Sequence, residues 1–173
     1  MNSNLKKKPD IIIVDDHLIF RQGLKAIINY EEIGTIIGEA SNGEEFMELL
    51  TRSNPDLVLM DIDMPRMNGF EATKKALEIM PGLKIIAFTV FSGDEYSAKM
   101  KRIGAQGFIL KSSGFNELEN AIQTVMKGEN YFMGNMQEIN QHNPEENAVS
   151  ISKRRGKMLF FPWVVNRKDY VFT

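Results

Sequence analysis

Residues 57–65 read Leu-Val-Leu-Met-Asp-Ile-Asp-Met-Pro, four apolar residues without a break followed by two carboxylates and a proline. An unbroken apolar run of this length is typical of a strand that is buried on both faces, as in a parallel sheet. A more mixed run at 35–40 suits an edge strand. Similar unbroken runs occur at 11–14, 85–88 and 108–110. The sequence therefore predicts a parallel sheet with mostly interior strands.

Apolar residues at helical spacing separate these runs. The five stripes are Phe20, Leu24, Ile27 and Ile28; Phe46, Leu49 and Leu50; Phe70, Thr73, Leu77 and Met80; Tyr96, Met100 and Ile103; and Leu118, Ala121, Ile122 and Val125. Glycines at 82, 104 and 128 mark helix ends. Five strand–helix units predict a doubly wound α/β domain, with a flavodoxin-like five-stranded parallel sheet in the order 2-1-3-4-5.

Composition narrows the classes of function for this chain of 173 residues. Because it has no cysteine, disulfides, thiolate metal sites and cysteine nucleophiles are excluded, and two histidines do not favour a zinc site. No apolar run approaches the roughly 18 residues of a membrane span. The basic N-terminus, residues 1–10, does not resemble a signal peptide. We therefore expect a soluble cytoplasmic protein without a membrane partner.

Four of the predicted strands end on residues with functional chemistry. The first ends at Asp15-Asp16, the third at Asp61, the fourth at Thr89 and the fifth at Lys111. In an open parallel sheet these ends meet at one edge, where ligands bind. Each residue also has a simpler explanation, since Asp16 or Thr89 could cap the next helix and Lys111 could be a surface cation. Their combination favours one common site.

These residue types together suit phosphoryl transfer. Clustered carboxylates repel one another, and a hard cation such as Mg²⁺ relieves that repulsion. A carboxylate can attack phosphorus. The hydroxyl of Thr89 and the ammonium of Lys111 can bind phosphoryl oxygens. The pattern therefore predicts a Mg²⁺-dependent site that accepts a phosphoryl group on an aspartate.

The same residues carry a resemblance to a known family. They are Asp15-Asp16, residues 59–65 with Gly69, Thr89 and Lys111. Over residues 8–128 the chain resembles the receiver domain of two-component response regulators. The resemblance implies that Asp61 is phosphorylated by a sensor histidine kinase. It further implies that Asp16 and Asp61 bind Mg²⁺ directly, Asp15 through water and Asp63 through its backbone carbonyl.

The resemblance also implies a conformational switch. Pro65 and Gly69 would shape the loop after the acceptor, and Thr89 would move toward the phosphoryl group while Phe108 turns into the vacated space. The face formed by helix 4, strand 5 and helix 5 would then change shape and pair with a partner such as a second copy. Phe108 could equally be a plain core aromatic. Val90 follows Thr89 where the family often has a smaller residue, which would narrow access to the phosphoryl group.

The segment after residue 128 differs in composition. Residues 129–150 are polar and predict a linker, and residues 150–173 hold six Lys or Arg and one Asp. Residues 151–173 resemble the start of a LuxR-type helix-turn-helix domain of the NarL/LuxR subfamily, with Arg155 and Lys157 where glutamates belong. Pro162 does not continue a helix. We interpret 151–173 as an incomplete, poorly structured remnant, truncated or frameshifted, so we expect DNA binding only if an intact helix-turn-helix exists.

Two further functions remain open from the sequence. A receiver without DNA binding could act only in signalling, by dimerising or as a phosphate sink. Asp61 and Asp63 also resemble the paired aspartates of haloacid-dehalogenase-type phosphatases, although Met64-Pro65 departs from that pattern. A receiver would be no enzyme beyond Mg²⁺-dependent self-phosphorylation and slow self-dephosphorylation.

Overall fold

Strands and helices alternate along the chain from residue 10 to residue 132. The computed structural model describes residues 7–132, so the predictions for the tail, including the remnant at 151–173, lie outside the described residues. The strands are β1 (Asp10–Val14), β2 (Thr35–Ala40), β3 (Leu57–Met60), β4 (Lys84–Thr89), β5 (Gly107–Leu110) and β6 (Tyr131–Phe132). The helices are α1 (Leu18–Tyr30), α2 (Gly43–Leu50), α3 (Gly69–Ile79), α4 (Asp94–Ile103) and α5 (Phe115–Met126).

All six strands form one parallel sheet in the order β2-β1-β3-β4-β5-β6. The first five strands confirm the predicted order, with β2 at one edge. The predicted count of five is wrong by one, because β6 pairs with Gly107 and Phe108 of β5 inside the segment expected to be a linker. Two residues are too few to show the period of a strand, so the sequence pattern could not reveal β6.

Both faces of the sheet are buried, as the unbroken apolar runs predicted. Ile11 and Ile13 of β1 pack into one cluster with α1 and α5, whereas Ile12 and Val14 pack into another with α2 and α3. This alternation follows from the two-residue period of a strand. A third cluster lies under α4 and includes Phe108. With both faces covered, the carboxyl ends of β1, β3, β4 and β5 are left as the edge where polar groups gather.

Candidate functional site

The neighbouring strands β1 and β3 bring their terminal carboxylates together. Val14 pairs with Met60 in the sheet, so the residues that follow, Asp15 and Asp61, emerge side by side. Both carboxylates are almost fully buried, with 2% and 3% exposure. Ligand atoms of Asp15, Asp16, His17 and Asp61 all lie within 4.8 Å of one another. The predicted gathering of these three aspartates is therefore what the fold produces.

Lys111 reaches this acidic pair from the end of β5. Its Nζ lies 2.5 Å from Oδ2 of Asp15 and 2.5 Å from Oδ2 of Asp61. The side chain is only 8% exposed and its ammonium lies 4.5 Å from the centre of the Phe20 ring. The explanation of Lys111 as an ordinary surface cation is therefore wrong. It supplies the positive charge without which two buried carboxylates would be unpaired.

Asp61 has an electrostatic environment that disfavours its charge. Burial raises the pKa of Asp61, and the neighbouring charge of Asp15 adds to the rise, while Lys111 and the Ile62 backbone N–H oppose it. The Ile62 N–H donates to Oδ1 of Asp61 at 2.7 Å, whereas Oδ2 faces Lys111. A further cation beside these oxygens would relieve the remaining repulsion.

Two residues next to Asp15 and Asp16 were not assigned to the site from the sequence. Nδ1 of His17 lies 2.7 Å from Oδ1 of Asp16 and 3.3 Å from Oδ1 of Asp15, and His17 is also the N-cap residue of α1. Arg21 donates to the backbone carbonyl of Asp15. In the sequence His17 directly follows the two aspartates, and Arg21 lies about one helical turn after His17. This proximity was the only sequence signal that could have assigned the two residues to the site.

The simple capping explanation fails for both residues to which it was applied. Helix α1 begins after His17 rather than Asp16, and α4 has Gly93 as its N-cap residue rather than Thr89. Thr89 is fully buried at the end of β4, and its Oγ1 accepts a hydrogen bond of 3.4 Å from the Phe91 backbone N–H. Neither residue is therefore held at the sheet edge as a helix cap.

The loop after Asp61 depends on a glycine. A Cβ on Gly69 would lie 2.0 Å from the Asp61 carbonyl oxygen, and the Gly69 N–H donates to the Ile62 carbonyl at 2.9 Å. The chain therefore folds back onto the end of β3 at a point where no side chain fits. Asp63 and Pro65 are exposed residues of the same loop. Gly69 thus shapes the loop by direct contact.

Phe108 lies in the third cluster, 3% exposed, and β5 pairs it with Ala87 of β4. It is a core aromatic in this structure, and its partner Ala87 lies two residues before Thr89 on β4. Val90, by contrast, is 65% exposed. Whether Phe108 also moves with Thr89 remains a prediction.

Comparison with known proteins places this geometry in a family. Residues 11–123 match the response regulator receiver domain. The chain belongs to this family. The receiver identity agrees with the fold and with the four strand ends described above. No helix among residues 7–132 is long and apolar enough to cross a membrane.

The relatives of this receiver include two regulatory proteins and a solved response regulator of the LuxR family. It is 34% identical to the transcriptional regulatory protein DegU of Brevibacillus brevis over 76% of this chain, and 38% identical to the oxygen regulatory protein NreC of Staphylococcus epidermidis over 70%. The chain spans 56% of the length of each of these relatives. A LuxR-family response regulator from Aurantimonas sp. SI85-9A1 superposes with a TM-score of 0.70 at 31% identity, covering 72% of this chain and 89% of that one.

Receiver domains generally bind Mg²⁺ at an acidic pocket, and the residues of this chain fit that ion. The carboxylates of Asp15, Asp16 and Asp61 offer oxygen donors, which hard cations prefer. Burial and the charge of Asp15 raise the pKa of Asp61 despite Lys111, so a cation bound beside Asp61 would stabilise its charged form. Receivers act in signalling with sensor histidine kinases and are generally not enzymes.

Proposed function

We propose that Asp61 accepts a phosphoryl group from a phosphohistidine of a sensor histidine kinase. The observation that carries the proposal is the contact of the buried Asp61 carboxylate with Lys111, at 2.5 Å, inside a cluster where ligand atoms of Asp15 and Asp16 lie within 4.8 Å. An Asp61 oxygen forms the new P–O bond as the P–N bond breaks, and the electron pair of that bond stays on the donor imidazole. Burial excludes bulk water from the carboxylate that attacks.

The other residues at the carboxyl ends of the strands bind the oxygens of the transferred phosphoryl group. Lys111 exchanges part of its contact with Asp61 for a phosphoryl oxygen, and Thr89 donates its hydroxyl to another. Mg²⁺, when bound, neutralises the phosphoryl charge. It would be held by Asp16 and Asp61, by Asp15 through water and by the Asp63 carbonyl. Arg21, which donates to the Asp15 carbonyl, fixes the backbone from which two of these carboxylates extend.

The switch follows from the movement of Thr89. Its hydroxyl leaves the Phe91 N–H for the phosphoryl group, and Phe108 occupies the space beside β4. The face of α4, β5 and α5 then presents a different surface for dimerisation. In the longer relatives this would control transcription. For this chain we propose a receiver domain that runs from residue 8 through β6 to residue 132, with receiver-only signalling as the second candidate.

Labelling with a small phosphodonor tests the acceptor. In Mg²⁺ and acetyl phosphate we expect wild type to gain one phosphoryl group and Asp61→Asn to gain none, measured by intact mass. Asp94→Asn, which changes an exposed carboxylate of α4, serves as the control and should label normally. Equal labelling of Asp61→Asn would refute the assignment. Continuous turnover of a phosphate ester that needs Asp63 would favour the phosphatase instead.

A further inference from the structure

Three aromatic rings connect the start of α3 to the β4–α4 loop, beside the proposed phosphorylation site. Phe91 and Tyr96 are stacked with their ring centres 4.8 Å apart and their planes 21° from parallel. Tyr96 and Phe70 are stacked with centres 6.3 Å apart and planes 16° from parallel. We call Phe70, Tyr96 and Phe91 the aromatic ladder. Its middle ring belongs to α4, and its outer rings belong to the β4–α4 loop and to the start of α3.

Both ends of the ladder are anchored at the site. Phe70 directly follows Gly69, whose backbone packs against the Asp61 carbonyl. Phe91 donates its backbone N–H to Oγ1 of Thr89, the hydroxyl that we expect to move. The ladder therefore connects the loop that follows Asp61 to the loop that follows Thr89, through the side chain of Tyr96 on α4.

The surroundings of the ladder hold it in place. All three rings are partly buried against the third cluster, which contains Phe108. Nζ of Lys99 lies 3.9 Å from the centre of the Phe70 ring, which caps the ladder with a cation. Stacked aromatic pairs at these separations contribute more than the burial of their area alone. The ladder is thus a defined contact rather than a general apolar patch.

We propose that Tyr96 is a positioning residue that holds the Thr89–Phe91 segment where the Thr89 hydroxyl can reach the phosphoryl group. This inference rests on the proposed phosphorylation of Asp61. When the Thr89 hydroxyl leaves the Phe91 N–H, the Thr89–Phe91 segment loses that hydrogen bond. The stacking of Phe91 on Tyr96 remains and still holds the segment. A segment already held near its bound position binds the phosphoryl group with a smaller loss of conformational freedom. The same stack transmits the movement of the segment to α4.

Beryllofluoride, a phosphoryl mimic, provides the test in the full chain. We expect Tyr96→Ala to bind beryllofluoride in Mg²⁺ about tenfold more weakly than wild type, on the order of the loss of its ring–ring pairs, measured by ¹⁹F NMR titration. Tyr96→Phe keeps the ring and should bind like wild type. Tyr96→Leu keeps apolar volume without a ring and should be as weak as Tyr96→Ala, which also covers the case in which the alanine variant fails to fold.

Two comparisons separate positioning from general damage. The affinity for Mg²⁺ alone, followed by amide chemical shifts, should be unchanged in every folded Tyr96 variant. Ile103→Ala removes another partly buried residue of α4 from the same cluster but keeps all three rings, and it should leave beryllofluoride binding unchanged. Normal binding by Tyr96→Leu, or an equal loss in Ile103→Ala, would overturn the inference. Failure of wild type to bind beryllofluoride would instead overturn the proposed function.

Discussion

Lys111 carries a large share of the charge balance at the sheet edge, because one ammonium contacts two buried carboxylates. Lys111→Met should reduce the free energy of unfolding at pH 7 by roughly 3 kcal/mol, since it leaves the pair uncompensated. The substitution removes an influence that lowers the pKa of Asp61, so this pKa should rise further. A carboxylate with a raised pKa favours folding in its protonated form, and the variant should therefore regain stability as the pH falls toward 4.

Urea unfolding between pH 4 and pH 8 measures this effect. Lys25→Met is the matched control, because Nζ of Lys25 also lies 2.7 Å from a carboxylate, that of Glu39, but on an exposed lysine. We expect the control to change stability by no more than about 0.5 kcal/mol. A Lys111 variant that behaves like the Lys25 variant would contradict the role of Lys111.

Asp61 itself opposes folding when it is charged. Its pKa is raised mainly by burial, so the stability it contributes is complete below its unfolded pKa and is lost as the pH rises through the folded pKa. In metal-free buffer at pH 7, Asp61→Asn should therefore melt at a higher temperature than wild type, and the difference should vanish in acid. Addition of Mg²⁺ should stabilise wild type more than the variant. A lower melting temperature for Asp61→Asn at pH 7 would count against this account.

Gly69 gives a steric prediction at the same loop. Gly69→Ala places a Cβ against the Asp61 carbonyl and should cost about 2–3 kcal/mol in the free energy of unfolding, along with phosphoryl labelling. Gly82→Ala is the control, since a Cβ there meets nothing within 4 Å. A folded Gly69→Ala that labels at the wild-type rate would show that the loop adjusts more easily than its contacts indicate.

At the level of elements, the sequence predicted those features that have a period or a chemical signal. The apolar runs located β1 to β5 and their order, and the strand ends located Asp15, Asp61 and Lys111. Helix α3 shows where prediction from apolar spacing fails. Its buried face only partly coincides with the predicted stripe of Phe70, Thr73, Leu77 and Met80. Of that stripe the structure fully buries only Thr73, and it buries Ala72 and Ala76 beside it.

The reason is that small side chains let α3 approach the sheet and α2 closely, and apolar size alone does not report this. His17 and Arg21 were missed for a different reason. Their contacts with Asp15 and Asp16 depend on the direction in which α1 runs from the end of β1. Spacing in the sequence does not give that direction. Strand β6 was missed because it has only two residues.

Strand β6 is attached to α5 as well as to β5. The Tyr131 hydroxyl donates to Glu117, and burial together with this hydrogen bond raises the pKa of Tyr131 to about 12. Tyr131→Phe should lower the free energy of unfolding by about 1 kcal/mol at pH 7. The difference should vanish as the pH rises from about 10 through 12, because ionisation of the phenol removes the donor.

Absorbance titration of the tyrosines measures the pKa directly. One group titrating near 12 should be present in wild type, absent in Tyr131→Phe, and shifted downward in Glu117→Gln. If Glu117→Gln leaves the titration of Tyr131 unchanged, burial alone sets its pKa.

At the scale of the whole molecule, charge is divided between neighbouring elements of one face. The last turn of α4 carries Lys101 and Arg102, and α5 carries Glu117 and Glu119. In a two-fold interface through this face, the basic helix of one copy can meet the acidic helix of the other. We expect beryllofluoride and Mg²⁺ to shift the protein toward a dimer in sedimentation velocity.

Lys101→Glu should weaken that dimer several-fold, because it places like charges across the interface. Lys74→Glu, which changes an exposed lysine of α3, should leave it unchanged. A dimer that forms equally in both variants would place the interface on another face.

Strand β6 also determines where the chain leaves the sheet. It pairs with Gly107 and Phe108, so the backbone exits beside the strand that carries the proposed switch aromatic. The proposed movement of Phe108 would therefore act on a strand that is paired with β6. A shift of β5 would then be passed to β6 through the main-chain hydrogen bonds that join the two strands.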